Sequence, residues 1–258
     1  MHLKNLILIC CFTIVSFFTS AQETAIYTQD LKEYNHAKEL YQNRSFLAAQ
    51  QLFTQIKPSF NYSSENRANC EYYIANCAIR LGQKNANNLM LNFVKKYPTS
   101  TKRNNAFLET AEYYFKAGRY AYALKWYGKA NSYNLSMKQK EEYIFKYGYS
   151  LFASKNYEES KKYFVQLLDS QEYGSRSKYY YGYIAYQEDD YETAEKNLGE
   201  VITDDSYKND VSYYLSEMNF KLGKFEKAIE LGEPLLTNAS RTKHSEISKI
   251  VGESYFNL

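Results

Sequence analysis

The sequence predicts an all-α fold: a solenoid of about six stacked antiparallel helix pairs followed by a partial seventh. Three observations carry that expectation. A small residue recurs at Ala37, Ala75, Ala111, Gly148, Gly182, Ser216 and Gly252, at intervals of 34 to 38 residues, which is the period of helix-pair repeats. Twelve residues after it a second small residue follows, at Ala49, Ala123, Ser160, Ala194 and Ala228. The 258 residues include only 10 Gly and 3 Pro, too few for the turns of a β architecture.

The chain opens MHLKNLILICCFTIVSFFTSAQ: a positive Lys4, an apolar run from Leu6 to Phe18, then Thr19, Ser20 and Ala21 before Gln22. That order is the pattern of a secretory signal peptide, expected over residues 1–21. An apolar run of about 13 residues falls short of the ~20 that span a bilayer, so the protein is not expected to be an integral membrane protein. Cys10 and Cys11 sit inside the apolar run, not after a small-residue lipobox. A lead-in at 22–30 then precedes the array, 31–258. The formal charge of +3 drops to +2 once Lys4 is removed. This is too balanced for a nucleic-acid or anionic-membrane partner.

Each copy reads as one helix pair. The first small residue marks where the two helices cross closely. A short turn follows, in which Gly82, Gly118 and Gly223 suit a helix C-terminus. An aromatic opens the second helix: Phe46, Tyr120, Tyr157, Tyr191 or Phe225. Four residues beyond the second small position, Phe53, Leu91, Tyr127, Phe164 and Leu198 are expected to fill the space between the helices. In the second copy Asn87 stands where Ala is expected, and in the sixth Gly232 replaces the large residue. The stretches SFNYSSENR and NSYNLSMKQK read as polar loop insertions, and Pro98 ends the second copy's second helix. The segment HSEISKIVGESYFNL carries Gly252 and Tyr255 as the start of another first helix. Repeat arrays need a polar cap, and Tyr255-Phe256-Asn257-Leu258 is a poor one. Further repeats or a further domain beyond Leu258 are therefore expected, the alternative being that this helix is itself the cap.

This pattern resembles the tetratricopeptide repeat family, whose signature has a small residue at position eight, an aromatic at eleven, Ala at twenty and an aromatic at twenty-four. The resemblance covers roughly residues 30 to 258 and implies a right-handed superhelix. In its register the tyrosines of SKYYYGYIAYQEDDYETAEKNL (177–198) fall largely on packing positions, so Tyr179, Tyr181, Tyr186 and Tyr191 are expected to be structural.

Chemistry is sparse in the sequence. It contains no nucleotide-binding glycine loop, HExxH or paired CxxC, and His36 and His244 are isolated. Cys70 and Cys77 are seven residues apart, ~10.5 Å along a helix, whereas a disulfide needs Cα atoms within ~7 Å. They are expected as two small buried apolar residues. Glu188-Asp189-Asp190 falls in a predicted turn without the alternating ligands of a calcium loop. The expectation is therefore no enzyme, no cofactor and no metal.

What remains is a binding surface. The resemblance implies that first-helix positions two, five, nine, twelve and thirteen line the concave face. Carried onto this chain, the expected partner-binding residues are Lys38, Asn76, Arg80, Glu112, Lys116, Tyr149, Arg176, Tyr183, Glu217 and Lys221. Tyr and Arg are enriched at interaction hot spots, and Tyr149 and Tyr183 are expected to project into the groove. The function expected is a non-enzymatic scaffold in a bacterial periplasm, or at the periplasmic face of the outer membrane, holding a protein or peptide partner within an envelope complex. The alternative is a glycan- or peptidoglycan-associated envelope protein.

Overall fold

The small residues that recur in the sequence are where the helices touch. Ala37, Ala49, Ala111, Ala123, Ala194 and Ala228 are wholly buried, and Ala75 and Ser216 nearly so. In the computed structural model, which describes residues 28–237 and 240–258, every regular element of the described residues is helical. The signal peptide expected at 1–21 lies outside them. Two compact units divide between Tyr113 and Tyr114.

The first unit contains α1 (28–42), α2 (Phe46–Ile56), α3 (Glu65–Arg80), α4 (Ala86–Lys96) and most of α5 (Arg103–Lys116). Its core is aromatic. Phe53 stacks flat on Tyr73 at 4.8 Å and Tyr34 meets Phe53 edge-on at 5.9 Å, tying α1, α2 and α3 together. In α4 the expected packing register is off by one residue. Ala86, Met90 and Phe93 are buried, while Leu91 is only half-buried. Ala86 thus supplies the small contact that Asn87 could not.

The second unit holds the end of α5, α6 (Tyr120–Tyr127), α7 (Met137–Ala153), α8 (Tyr157–Phe164), α9 (Gly174–Gln187), α10 (Tyr191–Gly199), α11 (Lys208–Lys221), α12 (Phe225–Gly232) and α13 (Arg241–Asn257). Helices α7/α8, α9/α10 and α11/α12 pack pairwise across short turns. In α7/α8 the Ser160 hydroxyl donates to the Gly148 carbonyl at 2.8 Å, and in α11/α12 Ser216 donates to Ala228 at 2.7 Å. Gly232 is not a packing defect: a Cβ there would lie 2.8 Å from both Ser216 Oγ and Val251 Cγ2. Helix α13 fills the space with Ile247 and Val251. Gly252, by contrast, has open space where Gly148 and Gly182 meet a second helix.

Only part of each expected insertion is loop. Ser64 caps α3, its hydroxyl accepting from the Arg67 amide at 3.2 Å. Ser136 forms a reciprocal capping box with Gln139 at the start of α7. The capping serines therefore place the end of each insertion, 65–67 and 137–140, in the first turn of the next helix. Pro98 follows α4, as expected.

Seven residues after each of the first six small register residues the backbone turns left-handed. Gly82, Gly118 and Gly223 occupy three of these turns, at φ 65°, 68° and 71°. Arg44, Lys155 and Asp189 occupy the other three, at φ 61°, 60° and 59°. A side chain there crowds the following carbonyl, a cost of about 1 kcal/mol that glycine escapes. Lys155→Gly is accordingly expected to raise stability by about 0.5–1 kcal/mol, read from the urea midpoint. Gly118→Ala should lower it by a similar amount.

Cys70 and Cys77 are free and fully buried. Burial pushes both thiols from 9.0 up to about 12. It also pushes the phenols of Tyr34, Tyr143, Tyr173 and Tyr214 from 10.0 up to about 12. These folded-state values lie above the unfolded ones. The stability they carry is therefore complete below about pH 9 and lost as pH climbs toward 12. Urea midpoints should fall steadily over that window, and a flat profile would contradict the burial of these groups.

Candidate interaction face of the first helices

Two residues before the small register residue, each first helix carries a side chain that reaches back onto the first helix of the preceding pair. In the first unit Tyr73 meets Tyr41 edge-on at 5.0 Å. The Glu109 carboxylate accepts from the Asn76 amide at 2.5 Å. In the second unit Lys146 lies 5.6 Å over the Phe115 ring. Tyr180 meets Phe152 at 4.8 Å and Tyr149 at 5.1 Å, and Tyr214 meets Tyr183 and Tyr186 at 5.1 Å each. This row was not among the expected lining residues, although its recurrence as Tyr, Glu, Lys, Tyr, Tyr is visible in the sequence.

The expected partner-binding residues surround that row in differing states. Lys38 is half-buried, its ammonium 5.7 Å over Tyr34. Asn76 is not a surface residue. It is 1% exposed, covered by Tyr72 and Glu109, with Arg80 donating to its amide oxygen at 3.2 Å. Glu112 is half-buried and Lys116 exposed. Arg176 is exposed, 6.0 Å over the Phe145 ring.

Tyr149 and Tyr183 do not project freely. Tyr149 is half-buried among Phe115, Tyr120, Phe145, Phe152 and Tyr180, and Tyr183 among Phe152, Tyr186 and Tyr214. The physical reason is ring size: a phenol on one first helix bridges the gap to the next. Tyr181 and Tyr191 are half-buried, packed against the core clusters rather than enclosed in them. Tyr181 lies under Lys161 at 5.9 Å, and Tyr191 donates to Asp189 at 2.6 Å.

Glu217 and Lys221 form one ionic step at 3.0 Å, with Tyr186 donating to the same carboxylate at 2.5 Å. Burial works against the Glu217 charge, but the Tyr186 and Lys221 hydrogen bonds hold its carboxyl below the usual range. Burial and the Glu217 bond push the Tyr186 phenol upward. The face therefore offers half-exposed rings edged by the exposed cations Lys116, Arg176 and Lys221.

Residues 70–100 and 145–206 each match a family model of the tetratricopeptide repeat. The chain carries tetratricopeptide repeats. Solved structures agree in fold. The C-terminal part of a TPR repeat-containing protein from Cytophaga hutchinsonii is 15% identical, with TM-score 0.53, covering 83% of this chain and 98% of its own. Pseudomonas aeruginosa pilF is 13% identical at TM-score 0.51, covering 85% and 96%. A tetratricopeptide repeat protein from Parabacteroides merdae is 14% identical at 0.51, covering 88% and 86%. No curated protein matches this tetratricopeptide-repeat chain in sequence. No helix of the described residues is long and apolar enough to cross a membrane.

Proposed function

We propose that this tetratricopeptide-repeat protein is a non-enzymatic scaffold that holds a protein or peptide partner on its first helices. The observation that carries this reading is the cross-helix row with its half-exposed rings and cationic edge. Rigid aromatics and Arg in one patch are the residue types on which partners anchor. Stacked helix pairs present such patches along an extended surface. The leader before Gln22 supports export, and we assign the site of action to the periplasm of a Gram-negative bacterium or the periplasmic face of its outer membrane, within an envelope complex.

Photo-crosslinking residues placed one at a time at Lys116, Arg176 and Lys221 test the face. The comparison set is Glu158, Glu192 and Glu226, exposed on the second helices α8, α10 and α12. Partner adducts are expected from the first set only, and adducts confined to the second set refute the assignment. N-terminal sequencing of the exported form is expected to begin at Gln22; a form beginning at Met1 overturns the export reading.

A further inference from the structure

In the first unit three side chains from two different helices converge on one carboxylate. Oε2 of Glu109, on α5, lies 2.5 Å from the amide nitrogen of Asn76 on α3. The same oxygen is 3.5 Å from the hydroxyl of Tyr41 on α1 and 4.0 Å from a guanidinium nitrogen of Arg80 on α3. The donors are themselves held in place. Asn76 is 1% exposed, its amide nitrogen also faces the Tyr72 hydroxyl at 3.3 Å, and its amide oxygen accepts from Arg80 at 3.2 Å. Burial and the neighbouring Glu109 charge together push the Tyr41 and Tyr72 phenols upward, so both remain donors. The carboxylate and the guanidinium are the loosely enclosed members, their side chains 36% and 33% exposed.

An amide, a phenol and a guanidinium fixed around one anionic oxygen make a receptor for a carboxylate. We infer that Tyr41, Asn76 and Arg80 form a carboxylate-binding site whose occupant is the chain's own Glu109, so that this part of the face turns away partner segments carrying an acidic side chain at that point. Glu109 thereby acts as a specificity-determining residue. With Asn76 and Tyr41 already turned to Glu109 in cis, an incoming carboxylate meets a negative charge where it would otherwise be received, which is discrimination by repulsion rather than by added contacts. The selectivity rests on the reading of the first-helix face as the partner surface. The receptor itself does not.

Removing the occupant tests both. Glu109→Ala takes one partner from the buried Asn76 amide and should melt below the native chain in chloride. Propionate alone is expected to restore its melting temperature. Isosteric neutral propionamide is not, and the native chain should respond to neither. Adding Arg80→Ala to Glu109→Ala should raise the half-restoring propionate concentration by about tenfold, through loss of the nearby positive charge. A fluorescein-labelled tetra-aspartate peptide is expected to bind Glu109→Ala about tenfold more tightly than the native chain. Should Glu109→Ala fail to fold alone, recovery of its far-ultraviolet circular dichroism by propionate but not propionamide is read in place of melting. The receptor is overturned if propionamide restores as well as propionate, if neither does, or if Arg80→Ala leaves the half-restoring propionate concentration unchanged. The selectivity is overturned if the peptide binds both chains alike. Neither failure touches the crosslinking result, which tests the face independently.

Discussion

Tyr180→Ala is expected to destabilise the second unit by about 3 kcal/mol, more than either Tyr181→Ala or Tyr191→Ala, each at about 1 kcal/mol. Tyr180 stacks on Phe164 at 5.4 Å with planes 19° apart and meets Phe145, Tyr149, Phe152 and Tyr179 within 6.3 Å. Each such ring pair adds about 0.5–1.5 kcal/mol beyond the area it buries. Deleting the ring removes contacts from α7, α8 and α9 together. Because Tyr180 is half-buried, the lower end of the usual range for emptying an aromatic site applies. Tyr180→Phe keeps every ring contact and should cost under about 1 kcal/mol. Urea unfolding followed by circular dichroism separates the three cases. A loss near 1 kcal/mol for Tyr180→Ala would mean that the row between first helices is surface decoration.

What the sequence made legible was governed by short range. The spacing of Gly148 and Ser160, or Ser216 and Ala228, follows from the period of one helix laid against the next across a three-residue turn, and all four are buried as expected. The left-handed turns were legible where Gly marked them and less so at Arg44, Lys155 and Asp189, where the same local helix-ending hydrogen bonds hold the backbone without a glycine. The candidate face was harder. Helical periodicity says which side of α9 Tyr180 and Tyr183 occupy, but not how near the neighbouring first helix lies. That distance decides whether a phenol ends in a groove or on the next ring. Asn76 shows the same limit: its burial depends on Glu109, 33 residues away on another helix.

The helix crossing itself gives the second large effect, at Gly148. A Cβ on Gly148 would lie 2.8 Å from Cβ of Tyr163 and 3.4 Å from the Phe164 ring. The first of these atoms is fixed to the α8 backbone and cannot rotate aside, so any side chain must push α7 and α8 apart. Gly148→Ala is expected to cost about 2 kcal/mol and Gly148→Val 3 kcal/mol or more, about the upper limit for overpacking. Separation would also stretch the Ser160 hydroxyl from the Gly148 carbonyl. Gly199, at the end of α10, has no atom within 4 Å of its Cβ direction. Gly199→Ala should therefore be neutral or gain about 0.5 kcal/mol from the lower entropy of the unfolded chain. A third variant identifies the contact. Tyr163→Ala removes the ring but keeps the Cβ, so it should not rescue Gly148→Ala. If it does rescue, the crowding comes from the ring, the helices have room to spare, and the small residue at the crossing is not what sets their distance.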